Sequence, residues 1–239
     1  MRLYDDEIRN WLSLCGGGIE LPVKAEPDCP DAGSHQMILR SDMAYELGGS
    51  TPSIYALGGT ALTETGEFVP KDSIKLIGPD LTAVKSDTSY ARLTIASVNS
   101  LRTDNKDALY NSVKRIENIR YHVNPEGFMT RVSSVYGRES IRVSKDAIAK
   151  GISFAHVGNL MLNLLHKNPD VKAAAVIFIT DPNFDFAALE QSVKKTAGIT
   201  AAIDHIFKNV MTDCKTCSLQ KVCDEVEGLR EMHFGKKTE

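Results

Sequence analysis

The chain has 239 residues, is 42% hydrophobic and 25% charged, and carries a formal net charge of −3 with a pI of about 6.1. Such a length buries a sizeable core without help from metals or disulfides. The weakly acidic balance offers no basic face for nucleic acid, and no stretch reaches the ~18 apolar residues of a membrane span. The opening Met1-Arg2-Leu3-Tyr4-Asp5-Asp6-Glu7 lacks the apolar core of a signal peptide. A soluble, cytoplasmic protein is therefore expected, binding neither nucleic acid nor membrane.

The first 70 residues are punctuated by turns at Gly16-Gly17-Gly18, Pro22, Pro27, Pro30, Gly48-Gly49 and Gly58-Gly59. A helix fits Asp5 to Leu14, and short strands fit Met37 to Leu39 and Ser53 to Leu57. Ser73 to Asp80 reads as a strand stopped by Gly78-Pro79. Tyr90 to Val98 alternates apolar Leu93 and Ile95 with Arg92, Thr94 and Ser97, which predicts a strand with one solvated face.

A helix follows from about Asp104, capped by Thr103 or Asp104, with Leu109, Val113, Ile116, Ile119 and Val123 on one face. Asn124-Pro125-Glu126-Gly127 ends it. Ser140 to Val143 is a short strand, and Ser144 caps a second helix that carries Ile148, Ile152, Leu160 and Leu164 up to Asn168-Pro169. Ala173 to Ile179 is apolar on both faces, as a central strand must be. Asp181-Pro182 then opens a third helix, either continuous or broken near Gly198.

Strands first and strand–helix alternation later predict an α+β fold, a mixed sheet with flanking helices. The expected organisation is a turn-rich segment over residues 1–70 packed on a core domain over 71–210, followed by a cysteine-rich tail over 211–239.

The tail holds the clearest chemistry. Cys214, Cys217 and Cys223 form a C-x2-C-x5-C pattern, with Cys15 and Cys29 elsewhere. Five cysteines do not make a complete disulfide set, and three crowded into ten residues point to metal or redox chemistry in a reducing compartment. Thiolates are soft anionic ligands suited to zinc or an iron–sulfur cluster. Lys215 and Lys221 favour ionised sulfur. A fourth ligand would come from Cys29, Cys15, Asp213, His233 or an exogenous group. Surface thiols without metal are the plain alternative.

Other candidates are weaker. Arg40, Arg131, Arg138 and Arg142 have the planar fork that suits phosphate. Gly48-Gly49 and Gly58-Gly59 fit neither a P-loop nor a dinucleotide fingerprint and read better as turns. The histidines show no ligand spacing.

Several blocks resemble one family. Ile38 to Gly49, Ile77-Gly78-Pro79-Asp80-Leu81, Glu126-Gly127-Phe128-Met129, Ile141-Arg142-Val143-Ser144 and Phe178-Ile179-Thr180-Asp181-Pro182 are similar, in the same order, to the acetyl-CoA synthase subunit of the carbon monoxide dehydrogenase/acetyl-CoA synthase system. The resemblance runs from about Cys15 to Leu229 and centres on that subunit's middle domain. It implies anaerobic one-carbon metabolism, in which a methyl group from a corrinoid protein joins carbon monoxide and coenzyme A. It also implies that Cys214, Cys217 and Cys223 are [4Fe–4S] cluster ligands and that Arg142 contacts coenzyme A. A carbon monoxide dehydrogenase-type subunit and a corrinoid protein are the implied partners.

The sequence departs from the family after Cys217. The gap to Cys223 is shorter, no fourth cluster cysteine follows, and the Cys-Gly-Cys pattern that holds the distal nickel is absent. The resemblance therefore does not extend to nickel. The expected function is an accessory or reduced synthase-like iron–sulfur protein; if an enzyme, it is a synthase-like acyl or methyl transferase. The alternatives are a non-catalytic module that binds coenzyme A or a partner, with zinc or no metal, and a synthase whose nickel ligands come from a separate chain.

Overall fold

The computed structural model describes residues 2–26, 38, 41–49, 53–100, 106–133, 137–208, 214, 216–226, 228–229 and 232. The first helix, α1 (Asp5–Leu14), is followed by strands β1 (Ile19–Leu21), β2 (Ala44–Leu47), β3 (Ala56–Thr63), β4 (Ser73–Ile77) and β5 (Tyr90–Val98). Then come α2 (Lys106–Asn118), β6 (Phe128–Val132), β7 (Glu139–Ser144), α3 (Lys145–Ala149) and α4 (Phe154–His166). The chain continues with β8 (Val171–Ile179), α5 (Phe186–Phe207) and α6 (Gln220–Glu225).

Five strands form a mixed sheet in the order β1-β4-β8-β5-β3, in which β4–β8 and β3–β5 are parallel and β1–β4 and β5–β8 antiparallel. A second, antiparallel sheet has the order β2-β7-β6. The α+β architecture with a mixed sheet is as the sequence pattern predicts, and the apolar run ending at Ile179 is indeed the central strand. The 1–70 segment contributes β1 and β3 to the large sheet and β2 to the small one.

Strand register shows what covers each face. Gly58, Arg92 and Phe178 lie side by side on β3, β5 and β8, so they share a face. On it, Glu139 of β7 pairs with Arg92, and Phe154 of α4 stacks on Phe178 at 4.5 Å between ring centroids. Gly59, Leu93 and Lys75 lie on the opposite face. There Trp11 of α1 seats against Gly59, and Lys75 Nζ donates to the Cys15 carbonyl at 3.3 Å. The large sheet is therefore a middle layer, with α4 and the small sheet on one side and α1 on the other; α5 packs on both α1 and β3.

This layering corrects the expectation of a solvated face on β5, because every residue of that strand is buried. The polar side chains are instead satisfied internally. Arg92 Nε and Nη2 donate to the two carboxylate oxygens of Glu139 at 2.6 and 2.7 Å, and Nη1 donates to the Gly59 carbonyl at 3.3 Å. Alternation of polar and apolar residues cannot by itself distinguish a wet face from an internal ion pair.

Gly58-Gly59 is not a turn but the middle of β3. A Cβ at Gly58 would fall 2.5 Å from Glu139, and one at Gly59 would fall 2.7 Å from the Trp11 ring. Bare backbone at these two positions lets the small sheet and α1 close on opposite faces of one strand.

The other differences are local. Ser144 caps a helix as expected, accepting from the Ala147 N–H at 3.0 Å, but Gly151 at φ 90° ends that helix and Ser153 starts α4 with its own cap. Replacing Ser144 with alanine is expected to cost about 1 kcal/mol, read as a lower urea midpoint with an unchanged slope. The third helix starts at Phe186 with Asp185 as its cap, not at Asp181-Pro182, and runs unbroken through Gly198. Asp181 instead opens a turn, its carbonyl accepting from the Phe184 N–H at 3.1 Å, while its own N–H bonds the Ile77 carbonyl at 3.1 Å. Val123 lies beyond α2, and the strand expected from Ser53 begins at Ala56. Strand β6 does not stand out in the sequence because its five residues, Phe128-Met129-Thr130-Arg131-Val132, neither alternate nor form a continuous apolar run. The expected caps Thr103 and Asp104, and Met37 and Leu39 of an expected strand, lie outside the described residues.

Candidate functional site

The cysteine tail is docked on the core through α5. Gly198 leaves room for Val222, whose Cγ2 would come within 3.1 Å of a Cβ there. Leu219, Val226, Leu229 and Met232 are buried against the core. Lys195 of α5 forms an ionic bridge, with its Nζ 3.1 Å from Glu7 of α1 and 3.6 Å from Glu225 of α6. Burial opposes the Lys195 charge, but Glu7 and then Glu225 outweigh it and hold the ammonium above its ordinary value. Glu7 is itself buried and accepts a hydrogen bond from the Ser192 hydroxyl.

Cys214, Cys217 and Cys223 are each half-buried and free of disulfides. Cys214 and Cys217 lie in one turn, with the Cys217 N–H directed at the Cys214 carbonyl at 3.4 Å. Cys223 sits within α6, its N–H bonded to the Leu219 carbonyl at 3.0 Å, and both Cys217 and Cys223 pack against the apolar core. As donors, three thiols suit zinc or iron. Among the described residues, however, no three cysteine, histidine or acidic side chains converge as a metal-holding group.

Cys15 is in a different setting. It caps α1, is 1% exposed, and its thiol is pushed up to about 12 by burial, against a smaller opposing effect of Lys75. A thiolate is strongly disfavoured there. In metal-free native protein carrying Cys29→Ser, a thiol reagent at pH 8 is expected to label Cys214, Cys217 and Cys223 quickly and Cys15 only after denaturant is added. Fast labelling of Cys15 in the folded protein would contradict its burial. The other fourth-ligand candidates, Cys29, His233 and Asp213, lie outside the described residues, as does Lys215.

Arg142 is held by its own fold. Its Nη2 donates to Glu46 Oε2 at 2.8 Å and its Nη1 to the Ile38 carbonyl at 2.9 Å, while Arg131 pairs with the other Glu46 oxygen. Arg142 thus ties Ile38 to the small sheet. Arg40 lies outside the described residues. Arg138 is exposed and lines a cavity of about 180 Å³.

That cavity was not marked by any sequence pattern. It lies beside the edge of β3, enclosed by α2, α5 and the β6–β7 hairpin. Gly58 and Gly59 line it together with Lys114, Glu117, Arg120 and Asp204. With Arg138 of the hairpin, these residues come from four separate stretches of chain, so no local spacing announces them.

Among the described residues, the histidines do not gather into a metal-holding group. His156 completes a capping box with Ser153, and His166 Nε2 lies 2.8 Å from Asp72. No helix among the described residues is long and apolar enough to cross a membrane.

A search among curated proteins finds no match. A family model does match, over residues 31–184, which is more than half of the chain and spans β2 to β8 but not the cysteine tail. With the ordered sequence blocks now placed on strands of the two sheets and the turns between them, the chain belongs to the family of CO dehydrogenase/acetyl-CoA synthase complex beta subunits.

Proposed function

We propose that this chain is an acetyl-CoA synthase-like iron–sulfur protein of one-carbon metabolism, in an accessory or reduced role. The observation that carries this reading is the family match over the two sheets, joined to three cysteines on a segment that docks directly on α5. Cys214, Cys217 and Cys223 would supply three thiolates to a [4Fe–4S] cluster, with the fourth position filled by a residue outside the described set or by an exogenous ligand. Because the three thiols do not converge in the described arrangement, the turn holding Cys214 and Cys217 must draw toward Cys223 for a cluster to bind. A bound cluster supplies electron transfer or Lewis acidity. The α5 platform and the Glu7–Lys195–Glu225 bridge would hold such a cluster close to the core. Membership of a complex-forming family supports a carbon monoxide dehydrogenase-type subunit as partner, and a corrinoid methyl carrier is the second proposed partner.

The direct test is anaerobic purification followed by measurement of iron, sulfide, zinc and nickel per chain. About four irons and four sulfides are expected for the cluster. Stoichiometric zinc, or no metal after attempted reconstitution, would sink this reading. One observation favours a second one: the family match ends before the cysteines. The chain would then be a non-catalytic module that binds coenzyme A or a partner subunit through the sheets, and coenzyme A binding that persists when all three thiols are replaced would identify it.

A further inference from the structure

The three thiols of the tail are not equivalent. Cys214 and Cys217 stand at the two ends of one turn, closed by the Cys217 N–H on the Cys214 carbonyl at 3.4 Å. A four-residue turn with that bond holds its end Cα atoms within ~7 Å of each other. Disulfides span Cα separations of roughly 4.4–6.8 Å, so this pair can close with little movement of the backbone. Cys223 belongs to the next unit. A second turn, closed by the Gln220 N–H on the Cys217 carbonyl at 3.1 Å, leads into α6, where the Cys223 N–H is bonded to the Leu219 carbonyl.

The setting suits exchange rather than a permanent bond. Both thiols are half-buried, which leaves each open to a small reagent. Among the described residues, no further cysteine, histidine or acidic side chain completes a metal-holding group around the pair. Two thiols are enough for a disulfide and fall short of the four ligands of a closed metal site. The buried residues that dock the tail, Leu219, Val226, Leu229 and Met232, all follow the pair in the chain, so the turn can close while they stay in place. A ring this short also removes less freedom from the unfolded chain than a long loop would, which keeps the bond easy to reduce.

We propose that Cys214 and Cys217 are a reversible dithiol–disulfide couple, oxidised by a small-molecule disulfide and restored by a dithiol. One cysteine thiolate attacks the small disulfide, whose S–S bond breaks as a mixed disulfide forms and one small thiol leaves. The second cysteine thiolate then attacks the protein sulfur of the mixed disulfide, closing the Cys214–Cys217 bond and releasing the second small thiol. The protein gives up two electrons and two protons, and the oxidant leaves as two thiols. The couple needs no metal and does not rest on the cluster reading. Sulfurs joined to each other are no longer thiolate ligands, so the oxidised turn also keeps metal off these two positions.

The test uses the full chain carrying Cys29→Ser, freed of metal, reduced and then exposed to oxidised glutathione. Free thiols are alkylated in the native protein, which is then digested with trypsin. Cleavage after Lys215 and Lys221 places Cys214, Cys217 and Cys223 on three different peptides. The peptide ending at Lys215 and the peptide from Thr216 to Lys221 are expected to stay joined until a dithiol is added, while Cys223 is alkylated throughout. Fast-reacting thiols thus fall from the three of the reduced tail to Cys223 alone. The same link is expected in a Cys223→Ser protein whose circular dichroism matches the parent. The proposal fails if both cysteines remain alkylated after oxidation, if only glutathione adducts form, or if Cys223 is joined to either of them. The cross-link decides the couple and the iron content of anaerobically purified protein decides the cluster, so either can fail without the other.

Discussion

Replacing Glu139 with alanine is expected to destabilise the protein by about 3–5 kcal/mol, the range for breaking a buried ion pair from one side. Arg92 is 3% exposed, and its only carboxylate partner among the described residues is Glu139, itself 1% exposed. Burial lowers the affinity of Arg92 for its proton, but Glu139 outweighs it and holds the guanidinium charged. Without Glu139, a buried cation remains with only the Gly59 carbonyl and the Thr94 hydroxyl to accept its hydrogen bonds. The substitution also empties the space that Gly58 leaves for the Glu139 side chain. Because the pair joins the two sheets, the loss should appear as a cooperative fall in the urea midpoint rather than as local fraying. The double replacement Arg92→Met with Glu139→Leu should recover much of the loss, since apolar residues of similar volume often substitute for a buried pair without penalty. A Glu139→Ala cost below about 1 kcal/mol would show that the pair is far more hydrated than its burial indicates.

Changing Cys217 to serine is expected to remove most of the iron from anaerobically prepared protein while leaving the fold in place. Cys217 packs against the core beside α5, between Cys214 in the same turn and Cys223 in α6. A serine hydroxyl is a poor ligand for iron in a thiolate cluster, and loss of one of three nearby thiols leaves too few for a stable site. The fold should survive because every strand of the two sheets lies outside the tail, which packs on the core from the α5 side. The readouts are iron per chain, absorbance near 400 nm and far-ultraviolet circular dichroism. Unchanged iron in a folded Cys217→Ser protein would remove these cysteines as cluster ligands.

Much of the fold was legible in the sequence because its signals are local. The acidic first turn and apolar spacing of α1, the unbroken apolar run of β8 and the Ser144 cap each depend on residues close together in the chain. Conditions that depend on distant residues were not legible. The expected wet face of β5 is dry because β7, nearly fifty residues later in the chain, brings Glu139 onto Arg92. The helix expected after Asp181-Pro182 is delayed because Asp181 first forms a turn, accepting from Phe184 N–H on its carbonyl and from Asn183 N–H on its side chain, and Asp185 then caps the helix.

The candidate sites divide in the same way. The cysteine tail is visible as spacing, because ligand patterns are written within a few residues of one another. Its docking on α5 is not, since Gly198 and Lys195 acquire that role only when Val222 and Glu225 fold back onto them. The cavity between β3, α2, α5 and the β6–β7 hairpin is wholly a product of tertiary structure. By itself, the sequence determined the α+β class, the central strand, the family and a thiol-rich tail, all of which rest on periodicity or short-range order. Only the tertiary structure decided which polar residues are buried, which glycines mark close contacts rather than turns, and where a space lined by alternating charges opens. These outcomes depend on which distant side chains meet, and no local pattern encodes that.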